Sequence, residues 1–221
     1  MRKQALIIGL GQFGLALARS LTSRGLEVMA VDRRTELIQE AAEFAAEAVS
    51  FDATDDAALA RAAPERRDLC VVAIGGESRD GSIVCTALLR QMGAPYIVAR
   101  AMDEIHERIL RLVGAHEVVN PEQAYGERLA SRLAYRGVLD QVPLGDDLIL
   151  TELKPPEKFI GRTLTDIALP RKYGVTVVAI RQLEEGRGRV VKPDPTVPLR
   201  EGDILVIVAS EESVARMMER L

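Results

Sequence analysis

Through residues 1–120 short apolar runs alternate with amphipathic stretches. Apolar segments at 5–8, 27–31, 48–51, 69–74, 96–100 and 117–119 read as strands. Between them, 13–24, 36–45, 82–91 and 103–113 carry apolar residues at helical spacing, as Leu17 and Leu21 show for the first. The run at 69–74 is apolar throughout and is predicted to be central, because a strand covered on both faces needs no polar alternation. Gly93 and Gly114 follow two of the helices as C-terminal caps. Strand–helix alternation of this kind predicts an α/β fold with a parallel, doubly wound sheet.

Asn120-Pro121-Glu122 opens a further helix over about 122–135, with Asn120 as cap and Pro121 at its first position. Six strands already complete such a sheet, so this helix leads away from it. After Gly137 the pattern changes. Strands are predicted at 148–153, 175–181, 189–192 and 204–209, helices from Gly161-Arg162-Thr163-Leu164 onward and over 211–221, and a turn at Glu185-Gly186-Arg187-Gly188. The expected organisation is a nucleotide-binding lobe at 1–137, including the crossover helix, and a small α+β lobe at 138–221. There is no internal repeat and no low-complexity segment.

Composition narrows the function classes. A net charge of -4 over 221 residues, with Arg interleaved with Asp and Glu, argues against a protein that coats nucleic acid. Cys70 and Cys85 have neither metal-site nor disulfide-framework spacing and are expected to be buried free thiols. The N-terminus carries no signal-peptide pattern, and apolar runs such as 204–209 are about six residues long, against roughly 20 for a membrane span. A soluble, cytoplasmic protein is expected.

Gly9-Leu10-Gly11-Gln12-Phe13-Gly14 lies between a predicted strand and a predicted helix, the context in which this pattern marks a Rossmann-type nucleotide site. Gly9 permits the tight turn, Gly11 lets backbone approach a diphosphate, and Gly14 lets helix and strand pack closely. The helix N-terminus then offers N–H groups to phosphate. Asp32, 18 residues after Gly14, ends the second strand, where a carboxylate accepts ribose hydroxyls and disfavours a 2′-phosphate. That favours NAD, ATP, ADP or AMP over NADP, although Arg33 and Arg34 follow directly. Asp52, Ala53, Thr54 and Asp55 end the third strand, on the adenine side, and equally suit a helix cap. Ile74 at the end of the fourth strand, Gly75-Gly76 after it and Arg100 at the end of the fifth complete the candidate set.

No catalytic set accompanies this site. The four tyrosines lack a partnering Lys, and the two histidines, His106 and His116, lack obvious partners; His106 is expected at a surface or interface. No Walker A loop, nucleophile elbow or zinc spacing is present. A small NAD-dependent oxidoreductase would need an acid–base residue that does not appear. A nucleotide-sensing transcription regulator would need a basic DNA-binding helix pair that neither end supplies.

With these residues in view, the sequence resembles the RCK proteins (regulators of K+ conductance), and among them the cytosolic gating subunits of Ktr and Trk potassium-uptake systems. In the first lobe the resemblance is carried by Ile8-Gly9-Leu10-Gly11-Gln12-Phe13-Gly14, Ala30-Val31-Asp32, Asp52-Ala53-Thr54, Val72-Ala73-Ile74-Gly75 and Gly114-Ala115-His116-Glu117-Val118-Val119-Asn120-Pro121-Glu122. In the second it is carried by Gly161-Arg162-Thr163-Leu164, Tyr173-Gly174-Val175-Thr176-Val177-Val178-Ala179-Ile180 and Gly202-Asp203-Ile204-Leu205-Val206. It implies a non-enzymatic regulator: a homodimer assembling into an octameric ring on the inner face of the membrane, under a membrane-embedded potassium-translocating subunit, with no nucleic-acid partner. It implies an adenine nucleotide, ATP/ADP or NAD/NADH, in the first lobe.

Two features qualify the resemblance. Gln12 stands where members with an ATP/ADP switch carry Arg against the terminal phosphate, so the charge that would discriminate ATP is missing. Glu122 matches a glutamate implicated in cation-dependent nucleotide binding and is the candidate ligand for a divalent or monovalent cation; it reads equally as a first-turn carboxylate favoured by the helix dipole. Some relatives bind cyclic di-AMP in the second lobe. The matching stretch, Ile167-Ala168-Leu169-Pro170-Arg171-Lys172-Tyr173 with Pro193 opposite, has Pro170 where those relatives often have a basic residue, and reads equally as an apolar dimer interface.

Overall fold

The computed structural model describes residues 2–145, 147–184 and 187–219. It divides into two compact units, Met1–Pro121 and Glu122–Leu221. In the first, β1 (Gln4–Ile8), β2 (Glu27–Asp32), β3 (Glu47–Ser50), β4 (Leu69–Val72), β5 (Ile97–Arg100) and β6 (Glu117–Val119) form one sheet in the order β3-β2-β1-β4-β5-β6. Every neighbouring pair is parallel. The connecting helices are α1 (Gln12–Ser23), α2 (Thr35–Ala42), α3 (Asp56–Ala60), α4 (Arg79–Gln91) and α5 (Glu104–Leu112).

The apolar runs account for this sheet. Successive β1 side chains point to opposite faces, so Leu6 and Ile8 enter one core with Val31, Cys70, Val72 and Ile97. Ala5 and Ile7 enter the other, with Val28, Ala30 and Val71. Burial on both faces is what a parallel, helix-covered sheet requires. As its unbroken apolar run predicts, β4 lies inside the sheet, between β1 and β5. The ladder stops at Val72, two residues short of the predicted end, and the Ala73 N–H then donates to the Ile8 carbonyl at 2.7 Å.

In the second unit α6 (Pro121–Ala134) leads into β7 (Val138–Gly145), β8 (Leu148–Leu153), β9 (Thr176–Glu184), β10 (Arg187–Val191) and β11 (Ile204–Ser210). These form an antiparallel sheet in the order β10-β9-β11-β8-β7. The short helices α7 (Leu164–Ile167) and α8 (Leu169–Tyr173) and the terminal α9 (Glu211–Glu219) bury Ile167, Leu169, Val214 and Met217 with Leu153, Leu205 and Ile207 of the strands. The expected turn includes Glu185 and Gly186, and the expected terminal helix Arg220 and Leu221; these four lie outside the described residues.

In the second unit the structure corrects two expectations. The apolar pattern places the first strand of the second lobe at 148, whereas β7 precedes β8 and pairs with it antiparallel. Asp140, Pro143 and Gly145 break its apolar pattern, and an edge strand tolerates them because one side of its ladder is unused. The register shifts at both ends of this pairing agree with that irregular composition. The helix predicted from Gly161 is two short helices, separated by Ala168 at φ 55° and closed by Gly174 at φ 70°.

A capping box starts α7. The Thr163 hydroxyl accepts the Asp166 N–H at 3.1 Å, and the Asp166 carboxylate accepts the Thr163 hydroxyl at 2.7 Å. Thr163→Ala is expected to cost about 1 kcal/mol of stability. Denaturant unfolding of the two proteins measures it, and equal midpoints would contradict the role.

Candidate functional site

Strand order reverses between β1 and β4, because β1 pairs with β2 on one side and β4 on the other. In an open α/β sheet the crevice beyond the strand ends at such a switch point is where ligands sit. A cavity of about 610 Å³ lies there, lined entirely by first-unit residues from the ends of the strands and the start of α4.

The glycine loop forms its floor. Gly9 has φ +92°, and its N–H donates to the Val31 carbonyl at 2.8 Å. A Cβ on Gly9 would stand 2.8 Å from the Ile74 nitrogen, and one on Gly14 would stand 1.9 Å from the Gly9 carbonyl oxygen. These two glycines therefore seat α1 directly on the strand ends. Gly11 differs: nothing lies within 4 Å of an added Cβ, and the residue faces the cavity. It is the N-cap residue of α1, where no side chain caps the helix and no acidic residue occupies the first turn. The positive end of α1 is thus left open to an anion.

Asp32 fastens this loop to β2. Its Oδ2 accepts the Leu10 N–H at 2.7 Å, and its Oδ1 accepts the Arg34 N–H at 2.9 Å and Nε–H at 3.2 Å. Burial pushes its carboxyl up, but the hydrogen bonds from Leu10 and Arg34 together with the Arg34 charge outweigh that and hold it below its ordinary value. Asp52 is lowered mainly by the Thr54 N–H and hydroxyl, which it accepts at 2.9 and 2.7 Å, and Arg33 lies 3.5 Å from its other oxygen. Asp55 caps α3 by accepting the Ala57 and Ala58 amides.

Arg100 reaches the cavity from the end of β5. Its guanidinium lies over the Phe13 ring at 5.7 Å, and a side chain on Gly75 would come within 3.4 Å of its Nη1. Of the residues singled out in the sequence, Gly9, Gly11, Asp32, Arg33, Asp52, Ala53, Thr54, Ile74, Gly75 and Arg100 are gathered on the cavity wall. Gln12 is exposed, Phe13 half-buried and Gly14 buried, none of them on that wall. Glu122 is exposed in the first turn of α6, in the second unit. Among the described residues no group of three or more His, Cys, Asp or Glu gathers as a metal site.

Helix α4 starts earlier than its sequence pattern predicts. It begins at Arg79 rather than 82, so Ser78, Asp80 and Gly81 join the wall and a second helix N-terminus faces the cavity. A Cβ on Gly81 would meet the Ser78 hydroxyl, so a side chain there would require that hydroxyl to turn away. Ser78 as a capping residue was the available signal. His106, expected at a surface or interface, is fully buried. Cys70 and Cys85 are buried free thiols as expected; burial pushes Cys70 up to about 12 and Cys85 higher still, which keeps both protonated and unreactive.

The two glycines of the loop make opposite predictions. Gly14→Ala is expected to cost about 3 kcal/mol or more, since helix and strand must separate. Gly11→Ala, at φ -63° with open space above it, is expected to stay within about 1 kcal/mol of wild type. Parallel denaturation curves test the contrast.

Residues 5–121 match the model of the TrkA-N domain and residues 148–221 that of the TrkA-C domain. The Ktr system potassium uptake protein C of Bacillus subtilis (strain 168) is 33% identical over 221 residues, covering 100% of this chain and 98% of the relative. The Ktr system potassium uptake protein A of Vibrio alginolyticus is 31% identical over 219 residues, covering 99% and 98%. A crystal structure of the GsuK RCK domain superposes with a TM-score of 0.66 at 21% identity, over 99% of this chain and 47% of that one, and so shares the fold. With both units matched and relatives above 30% identity along their whole length, the chain belongs to the TrkA-N/TrkA-C family of potassium-uptake proteins.

Proposed function

We propose that this protein is the nucleotide-sensing regulatory subunit of a potassium-uptake system. The observation that carries the reading is a switch-point cavity bordered by the open α1 N-terminus and, beside it, the ionised Asp32, in a chain whose full-length relatives are Ktr potassium uptake proteins. Phosphates would lie against Gly11 and the α1 N-terminus, with Arg100 as the cation nearby. Ribose hydroxyls would donate to Asp32, and Asp52 to Thr54 would border the base. A channel structure that shares this fold, at a TM-score of 0.65 and 20% identity, is described as bound to NAD; an adenine nucleotide is the ligand proposed here.

Regulation rather than turnover is favoured by what lines the cavity. Among its described residues there is no His, Cys, Lys or Tyr, and two of its carboxylates, Asp32 and Asp52, are taken up by hydrogen bonds from the protein itself. No helix among the described residues is long and apolar enough to cross a membrane, so an effect on ion flow would be exerted through a membrane-embedded partner. Homodimers assembled as an octameric ring on the cytoplasmic face would transmit it, with Glu122 as a cation ligand and cyclic di-AMP as a second-unit ligand. A nucleotide can change such a ring only by binding one of its conformations better than another.

Calorimetric titration with ATP, ADP, NAD+, NADH and cyclic di-AMP tests the reading. Adenine nucleotide binding is expected, weakened about tenfold or more by Asp32→Ala, which removes charged acceptors of the ribose hydroxyls. Gly11→Ala is expected to weaken it similarly by filling the phosphate approach. Because Asp32 also holds Leu10 and Arg34, thermal unfolding is followed in parallel. Failure of every adenine mono- and dinucleotide to bind the wild type would overturn the reading.

A further inference from the structure

A buried polar cluster joins α4 to α5 behind the cavity wall. His106, Ser82 and Thr86 expose none of their surface. The His106 Nδ1 accepts the Met102 N–H at 3.3 Å, and its Nε2 stands 2.9 Å from the Ser82 hydroxyl. A ring nitrogen that accepts an amide carries no proton, so this network assigns the single proton of the neutral ring to Nε2, donated to Ser82. The Ser82 hydroxyl donates in turn to the Arg79 carbonyl at 2.8 Å. Asp103 caps α5 by accepting the His106 N–H at 2.8 Å, and takes both arms of the Arg79 guanidinium at 2.8 and 2.9 Å.

Both ends of the cluster reach the cavity. On α4, Ser82 directly follows Asp80 and Gly81, which line it. On the other side Met102 lies two residues after Arg100, and its Cε is 3.4 Å from where a Cβ on Gly76 would sit. We infer that neutral His106 is a positioning residue, holding the first turn of α4 and the chain after Arg100 in the arrangement that lines the nucleotide cavity, so that proton uptake by this side chain weakens nucleotide binding. The inference rests on the nucleotide reading of the cavity given above.

The chemistry is a clash of donors. An imidazolium carries N–H on both nitrogens, so a protonated Nδ1 would face the Met102 N–H with no acceptor between them. In a buried site the amide must then withdraw, carrying the chain after Arg100 with it. The charged groups acting on the ring are Arg79 at the start of α4 and Asp103 at the cap of α5. Burial first, and then Arg79, hold the imidazole below its ordinary value, with Asp103 opposing them. The neutral form therefore prevails at neutral pH, and the effect enters on acidification.

The test titrates the full chain with NAD+ and with ADP at about pH 8 and about pH 5.8, on wild type, Asp32→Ala and His106→Asn, with 6.5 as the ordinary histidine value. Both conditions lie above the protein's own pI of 5.4. The carboxamide introduced by His106→Asn can still accept the Met102 amide and does not titrate, and comparison with that variant cancels ionisation of the ligand. The wild type is expected to lose affinity on acidification relative to His106→Asn. Amide hydrogen exchange adds a readout that needs no variant: protection of Met102, corrected for intrinsic exchange, is expected to fall over the same range. Equal pH dependence in wild type and His106→Asn, or wild-type affinity and Met102 protection that ignore pH, would overturn the inference and leave Asp32-dependent binding standing. Absence of Asp32-dependent binding of either ligand at the higher pH would overturn both readings. His116, the other histidine, makes its contacts with Ile97 and Arg90 and is unchanged in every variant.

Discussion

One carboxylate ties the glycine loop to the sheet: Asp32 accepts the Leu10 amide with one oxygen and the Arg34 amide and guanidinium with the other. The loop between β1 and α1 is also held by the Leu10 side chain, buried in the core with Ala5, Ile7 and Val28, and by backbone contact. The Gly9 amide donates to Val31, and the missing side chains of Gly9 and Gly14 let the turn lie against Ile74 and under α1. An ionised group in this place both completes the loop and presents negative charge beside it. Loop geometry and ligand preference thus depend on the same side chain, and the hydrogen bonds that hold the loop also keep the carboxyl ionised.

Around that joint the first unit concentrates fixed dipoles rather than reactive groups. The N-terminal ends of α1 and α4 both face the crevice, Arg100 adds a full charge from β5, and Arg33 and Arg34 balance Asp52 and Asp32 on the opposite rim. Such a surface suits binding of a polyanion through preorganised partial charges. Behind it, the buried Ser82 hydroxyl and His106 ring, with the partly exposed Arg79–Asp103 pair beside them, connect α4 to α5 through hydrogen bonds that match donor to acceptor. Matching of that kind makes a buried network rigid, and also makes it sensitive to any change in its proton count.

The second unit is built on a different principle. Its antiparallel sheet has β11 at the centre with alternating burial, an irregular edge strand β7, and short helices broken where Ala168 and Gly174 take left-handed conformations. It supplies a separate core around Leu153, Ile167, Leu205 and Ile207.

The parallel sheet, the succession of its elements and about half of the cavity wall were legible in the sequence, because each was written in local signals. The apolar runs of β1 and β4 reveal burial on two faces, and the glycine spacing reveals a turn that only glycine can make. Asp32 was legible because its distance from Gly14 is set by the length of one helix and one strand. Edge strand β7 was not legible: Pro143 and Gly145 are acceptable only because no strand pairs on its far side, a fact of the sheet and not of the segment. The burial of His106 was likewise decided in three dimensions. A histidine among charged residues on a helix looks solvated until Ser82 and Met102, distant in sequence or hidden in the backbone, are brought to its two nitrogens.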